Sequence, residues 1–167
     1  MDLKTVLAAW YERMDGNAVV ESFHARHGTQ SALILTNYDD AHAALVAGYL
    51  HDRVAGKIVV EIGAGIGLLA CHLAQDAKRV YAIEVDPSWT ANFVWSLYQK
   101  KPANLTFIFG KAEEAPPLYA DVALFCTHSG REALHRAASL FAPEVIDVYA
   151  ELMKDNEQWK KLEPLTR

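Results

Sequence analysis

Residues 58–70 read Ile-Val-Val-Glu-Ile-Gly-Ala-Gly-Ile-Gly-Leu-Leu-Ala, a β-branched run followed by alternating glycines and then by a helical apolar pattern. The run predicts a buried strand, and the apolar spacing after the glycines predicts a helix. Gly63, Gly65 and Gly67 have no Cβ, so a ligand can approach the loop backbone and the N–H groups that open the helix. The stretch therefore predicts a nucleotide-sized cofactor site.

The spacing of the glycines separates two classes of cofactor. A dinucleotide-binding loop follows the pattern G-x-G-x-x-G/A, and counting from Gly63 places Leu68 where the third small residue belongs. A leucine fits a pyrophosphate site poorly, which disfavours a nicotinamide-dependent oxidoreductase. The observed G-x-G-x-G, introduced by the acidic Glu61 at the end of the strand, instead resembles motif I of the class I S-adenosylmethionine (SAM)-dependent methyltransferases.

A second predicted strand, residues 79–84, ends in Glu84, nineteen positions after Gly65. A carboxylate at this point can accept hydrogen bonds from both hydroxyls of a ribose. The resemblance implies SAM as the cofactor, Glu84 as the ligand of its ribose, and Val85 as the cover of one adenine face. In the first loop, the residues that the resemblance implies around the cofactor are Glu61, Gly63, Ala64, Gly65 and Gly67.

A third predicted strand, residues 104–109, precedes Gly110-Lys-Ala-Glu-Glu114. Many members of the family that this chain resembles carry Gly-Asp-Ala here, so Lys111 departs from the pattern. The backbone of Ala112 and the carboxylate of Glu113 are candidates for contact with the adenine amino group. Two solvated glutamates in a loop explain the same residues about as well.

The segment after the fourth predicted strand, residues 121–126, is where the methyl acceptor is expected. His128 is a candidate general base, because the unperturbed pKa of histidine lies near neutrality. In-line methyl transfer does not require a protein base, since positioning supplies much of the rate. Alternatively, His128 merely precedes a helix that Ser129 caps, with Glu132 completing a capping box.

Strands and helices alternate along the chain, and a fifth strand is predicted at 144–149. This pattern predicts an α/β fold with a doubly wound, mostly parallel sheet of order 3-2-1-4-5, helices on both faces and an N-terminal helical extension. We expect one SAM-binding, methyltransferase-like domain over residues 1–167. Its parts are an N-terminal helical segment (1–54), a Rossmann-like core (55–150) and a helical tail (151–167).

The resemblance departs from the family at the C-terminal side. Class I methyltransferases add two further strands after the fifth, and residues 151–167 are charged and helix-prone instead. The chain is then expected to be either a trimmed core or a sheet whose edge is covered by the tail, by the N-terminal segment or by a second copy of the chain, as in a homodimer.

Composition limits the partners and the compartment. The net charge of −5 over 167 residues argues against a broad electrostatic grip on phosphates, so nucleic acid is an unlikely partner. Cys71 and Cys126 favour a reducing compartment, and no membrane-spanning run or leader pattern occurs, so we expect a cytoplasmic protein. His24 and His27 lack further ligands nearby, so no metal site is predicted.

The resemblance to the class I methyltransferases implies SAM-dependent methyl transfer, and we expect the acceptor to be a small molecule or a protein side chain. The alternative is a non-catalytic subunit with the same fold that acts as a binding or interaction module. Lys111 and the missing final strands favour that alternative.

Overall fold

A computed structural model of the chain describes residues 40–85, 101–126 and 130–154. Within these ranges, five strands form one sheet in which every pairing is parallel. The strands are β1 (Ile58–Ile62), β2 (Arg79–Glu84), β3 (Leu105–Phe109), β4 (Val122–Phe125) and β5 (Glu144–Asp147). Their order is β3-β2-β1-β4-β5, which confirms the predicted topology. The order reverses beside β1, and ligands of such sheets bind beyond the carboxyl ends of the strands at that point.

Helices cover both faces of this sheet, as predicted. They are α1 (Asp40–Val54), α2 (Leu68–Asp76), α3 (Arg131–Ala138) and α4 (Val148–Lys154), with a 3-10 turn at Ala112–Glu114. The helices α1, α2 and α4 pack on the face that contains Val59 and Ala82, whereas α3 packs on the face that contains Val60 and Ile83. The predicted N-terminal extension up to residue 39 and the segment 86–100 between β2 and β3 lie outside the described residues.

Two predicted boundaries are wrong. The helix expected from Ser129 has its N-cap at Gly130, whose φ of 66° is left-handed and favours glycine, and no side chain caps it. The strand expected to run to residue 149 ends at Asp147, because α4 begins at Val148. Asp147 causes this stop, since its Oδ1 accepts the N–H of Ala150 at 2.8 Å and so caps the new helix.

Side-chain hydrogen bonds connect α4, the last described helix, to α1, the first. Arg53 on α1 donates from Nε to Glu144 Oε1 at 3.0 Å and from Nη1 to Glu151 Oε2 at 2.7 Å. Tyr49 donates its hydroxyl hydrogen to the same Glu151 oxygen at 3.1 Å. Because these groups are only partly buried, the ion pairs add little, and the buried side chain of Leu152 is expected to contribute more.

No helix within residues 40–85, 101–126 and 130–154 has the length and apolar character that crossing a membrane requires.

We predict that Leu152→Ala lowers the free energy of unfolding by about 2–5 kcal/mol, because the Leu152 side chain is 1% exposed within the core. The matched control is Leu140→Ala, where the side chain is 64% exposed and the expected change is below about 1 kcal/mol. Urea denaturation measures both changes. Equal losses in the two variants would show that α4 is not part of the cooperative core.

Candidate cofactor site

The glycine-rich loop between β1 and α2 is a sharp turn that the backbone holds in place. Gly63, Gly65 and Gly67 have φ values of 75°, 57° and 85°, in the left-handed region that favours glycine. The N–H groups of Gly63 and Ala64 both donate to the carbonyl oxygen of Ile83, at 2.8 and 3.1 Å. The loop is therefore tied to the end of β2, where the predicted ribose ligand lies.

Glu84 turns its carboxylate towards this loop. Its Oε2 accepts the N–H of Gly65 at 2.7 Å, and its Oε1 accepts the N–H of Val85 at 2.8 Å. The two backbone donors hold the carboxylate in a fixed orientation. An ionised carboxylate can accept about four hydrogen bonds, so these two do not exhaust its capacity. Glu84 is thus a rigid acceptor beside the loop.

Glu61 lies deeper, near the end of β1. Its side chain is 2% exposed, and its Oε2 has no hydrogen-bond partner among the residues that the structure describes. The strand register places it between Ala82 on β2 and Leu124 on β4. Burial, and then the negative charge of Glu84, raise the pKa of the Glu61 carboxyl to about 8. At neutral pH, Glu61 therefore carries a proton.

An apolar cavity of about 130 Å³ opens at the carboxyl ends of β1, β2 and β3. Four of the predicted cofactor residues line it: Gly63, Val85, Ala112 and Glu113. Drug-sized ligands usually occupy pockets of at least about 300 Å³, so this cavity suits one flat ring system and not a whole nucleoside derivative. Val85, 57% exposed, offers its apolar side chain as one surface of the cavity.

The space beside Gly63 is open. A Cβ built on this glycine would meet no atom of residues 40–85, 101–126 and 130–154 within 4 Å, although the φ of 75° would strain any side chain there. The described residues therefore do not fill the space beside Gly63, as a ligand site requires.

The other predicted residues have different outcomes. Ala64 is buried and belongs to the hydrophobic core cluster. The candidate base His128, like His24 and His27, lies outside the described residues. In the described part of the chain, no group of three or more His, Cys, Asp or Glu side chains is arranged to hold a metal ion.

Sequence reasoning missed the wall that α3 adds to the cavity. Leu134 and Ala137, three residues apart on α3, line the apolar cavity together with Ile62. Their helical spacing indicates a buried face, but only the packing of α3 against the sheet places that face beside the glycine loop.

A second, polar cavity of about 520 Å³ lies between α3 and the end of β5, lined by Arg131, Glu132, His135, Arg136 and Asp147. Arg131 donates from Nε to Asp147 Oδ2 at 2.7 Å, and its guanidinium stands 5.7 Å from the centre of the Tyr149 ring. This cavity lies at the same edge of the sheet as the glycine loop, where an acceptor substrate is expected.

Comparisons with known proteins agree with this architecture. No family model matches the chain. Over 70 residues the chain is 39% identical to the probable ribosomal RNA small subunit methyltransferase A of Pyrobaculum islandicum. This alignment covers 41% of this chain and 28% of that protein. Over 104 residues the chain is 34% identical to the probable histone-arginine methyltransferase 1.3 of Arabidopsis thaliana. This alignment covers 59% of this chain and 17% of that protein.

The chain thus spans less than a third of the length of these two curated relatives. A crystal structure from Methanococcus maripaludis, assigned to the SAM-dependent methyltransferases, aligns with a TM-score of 0.53 at 14% identity. The alignment covers 80% of this chain and 73% of that one. The chain has the α/β fold of the SAM-dependent methyltransferases, as the motif I resemblance predicted.

We predict that Glu61→Gln changes how the stability of the ligand-free protein depends on pH. Glu61 holds its proton up to about pH 8 when folded and up to about pH 4.5 when unfolded. Between these values the unfolded state binds fewer protons, so the stability that this group contributes is lost as pH rises. The free energy of unfolding then falls with a slope that approaches about 1.4 kcal/mol per pH unit.

Denaturation at pH 5, 6.5 and 8 measures this slope. Glu61→Gln removes the titrating group and is expected to flatten it. Asp52→Asn, the same chemical change on an exposed residue of α1, is expected to keep the wild-type slope. An unchanged slope in Glu61→Gln would assign the pH dependence to another group.

Proposed function

We propose that this chain binds SAM at the glycine loop and transfers its methyl group to a small molecule or a protein side chain. One observation carries the proposal: the Gly65 N–H donates to Glu84 at 2.7 Å. This bond holds the carboxylate that we propose as the ribose acceptor against the glycine loop, which borders the apolar cavity. The names of the relatives, which are all methyltransferases, support the same activity.

The residues present fit the cofactor by their chemistry. In this proposal Glu84, held by the Gly65 N–H, accepts hydrogen bonds from the ribose hydroxyls. Val85 and Ala112 offer apolar surface to adenine, and Glu113 is an acceptor for its amino group. The exposed Lys111 lies within 3.4 Å of Glu114 Oε1, so the lysine that departs from the family pattern forms a weak surface pair.

Bound SAM supplies a methyl group on a positively charged sulfonium, ready for in-line attack by a nucleophile. The task of the chain is then to hold the cofactor, orient the acceptor and exclude water. In this proposal His128 removes the proton that the acceptor loses, if the acceptor is protonated.

RNA is a further candidate acceptor. The expectation that nucleic acid is an unlikely partner rests on net charge alone. The similarity to a probable ribosomal RNA methyltransferase does not support that expectation. The polar cavity beside α3 is lined by both guanidinium and carboxylate groups, so it offers partners to the charged groups of a protein or of an RNA.

The alternative function is a non-catalytic subunit with a methyltransferase fold. One observation favours it: Lys111 stands where many members of the family carry an acidic residue, and it forms an exposed pair with Glu114. Cofactor binding without methyl transfer to any acceptor would support this alternative.

We predict that Gly65→Val weakens binding of SAM and S-adenosylhomocysteine by more than about tenfold, because its side chain would strain a left-handed turn and enter ligand space. Gly48→Val is the control, since Gly48 lies on α1 in open space. Isothermal titration calorimetry measures both. Wild-type affinity in Gly65→Val would exclude the proposed site.

We predict that Glu84→Ala weakens the same two ligands by about 10- to 100-fold, because hydrogen bonds to a charged acceptor are lost. Circular dichroism checks that the variant is folded. Unchanged affinity in a folded variant would contradict the ribose assignment.

We predict that His128→Ala lowers kcat by about 100-fold at neutral pH if His128 is the general base, with SAM affinity unchanged. The assay follows labelled methyl from SAM into separate RNA, protein and small-molecule fractions, which also identifies the acceptor class. Unchanged turnover on the labelled acceptor would leave His128 as a neighbour of α3 without a catalytic role.

A further inference from the structure

The segment that joins the 3-10 turn after β3 to the start of β4 exposes two prolines and a tyrosine. Residues 115–120 read Ala-Pro-Pro-Leu-Tyr-Ala and form neither helix nor strand. Pro116 and Pro117 are exposed, and Tyr119 is 91% exposed. An aromatic ring stabilises a fold through the area that it buries, so the fold gains little from a tyrosine at this position.

The backbone of this segment starts in the polyproline II conformation. Ala115 has φ −65° and ψ 152°, which lie in that region. Each proline ring fixes φ near about −65°, and a following proline keeps Ala115 and Pro116 out of the helical region. Backbone hydrogen bonds hold both ends, since the Ala115 N–H donates to Ala112 at 3.2 Å and the Ala120 N–H donates to Phe141 at 2.9 Å. The segment is therefore extended and fixed in the free protein.

The side chains of the segment divide between the core and the solvent. A polyproline II helix has about three residues per turn, so side chains three positions apart share one edge. Ala115 and Leu118 pack against the core cluster on the sheet face that α3 covers. Pro116 and Tyr119 are the next such pair, and both are exposed. One edge thus anchors the segment, and another presents a proline ring and a phenol ring to solvent.

We propose that residues 116–119 are a docking segment for a WW-type domain of a partner protein. Such domains bind short proline-rich segments in the polyproline II conformation on a groove lined by aromatic side chains. The pattern Pro-Pro-x-Tyr supplies proline rings and one aromatic ring to the groove and leaves its third position free. In this chain the free position is Leu118, whose side chain packs against the core.

The sequence also separates WW-type domains from SH3-type domains. The grooves of SH3-type domains take the pattern P-x-x-P, in which a second proline follows three positions after the first. The residues three positions after Pro116 and Pro117 are Tyr119 and Ala120, so residues 115–120 do not contain that pattern.

Two further features favour docking at this segment. A flexible peptide loses conformational entropy when it is ordered on a groove, whereas a segment fixed at both ends has little left to lose. Residues 111–121 carry three carboxylates and one ammonium group, so a groove with a basic rim complements them. Docking here requires neither cofactor nor methyl transfer, so it is independent of the proposed function.

Biolayer interferometry with the full chain tests this docking. The probe is an immobilised WW domain that binds Pro-Pro-x-Tyr peptides, and an immobilised SH3 domain is the comparison. A synthetic peptide of residues 112–121 is measured beside the full chain. We expect the chain to bind the WW domain at least as tightly as the peptide does, because its segment is already extended, and to leave the SH3 domain unbound.

Variants locate the contact. We expect Tyr119→Ala and Pro117→Ala each to weaken binding to the WW domain by at least about tenfold, because each removes a ring that enters the groove. The matched control is Leu45→Ala, which removes an exposed apolar side chain from α1 and is expected to keep wild-type affinity. Circular dichroism checks that each variant is folded.

Binding of the peptide without binding of the full chain would overturn the docking segment, because the fold would then block it. Absence of binding by both, or equal binding to the WW and SH3 domains, would overturn it as well. Wild-type affinity in a folded Tyr119→Ala variant would show that the contact lies elsewhere. Calorimetry with SAM reports on the proposed function separately, so the failure of one leaves the other standing.

Discussion

The site depends on the hydrogen bond between the Gly65 N–H and Glu84 Oε2, which joins the glycine loop to the end of the neighbouring strand. This bond needs two conditions at once. The loop must turn through left-handed conformations, and β1 and β2 must pair in parallel so that both carboxyl ends reach the same edge. Every other feature of the site is placed relative to this link.

The parallel topology explains why the ligand site lies at this edge. The strand order reverses beside β1, so the connections leave β1 and β4 on opposite faces and open a crevice between them. The α2 helix packs on one face and α3 on the other. The glycine loop leaves β1 at this edge of the sheet, where it is bonded to the end of β2 and borders the apolar cavity.

Charge and burial act against each other at this edge. A folded core favours apolar residues at the positions of Glu61 and Glu84, and yet the chain places two carboxyls there. Glu84 is compensated by two backbone N–H donors, whereas Glu61 is compensated by its proton. Strongly perturbed pKa values of this kind are concentrated at functional sites.

The sequence by itself determined β1 and β2, the left-handed glycine loop and the position of Glu84, because each depends on a few neighbouring residues: β-branched runs, absent Cβ atoms and a fixed spacing. The predicted start of α3 and the predicted end of β5 were wrong, because the N-caps at Gly130 and Asp147 set where α3 and α4 begin. Only the tertiary structure decided that Leu134 lines the cavity beside the loop, that α4 is hydrogen-bonded to Arg53, and that Glu61 Oε2 is buried with no hydrogen-bond partner among the described residues. Packing, burial and electrostatics depend on residues far apart in the chain, which local periodicity does not record.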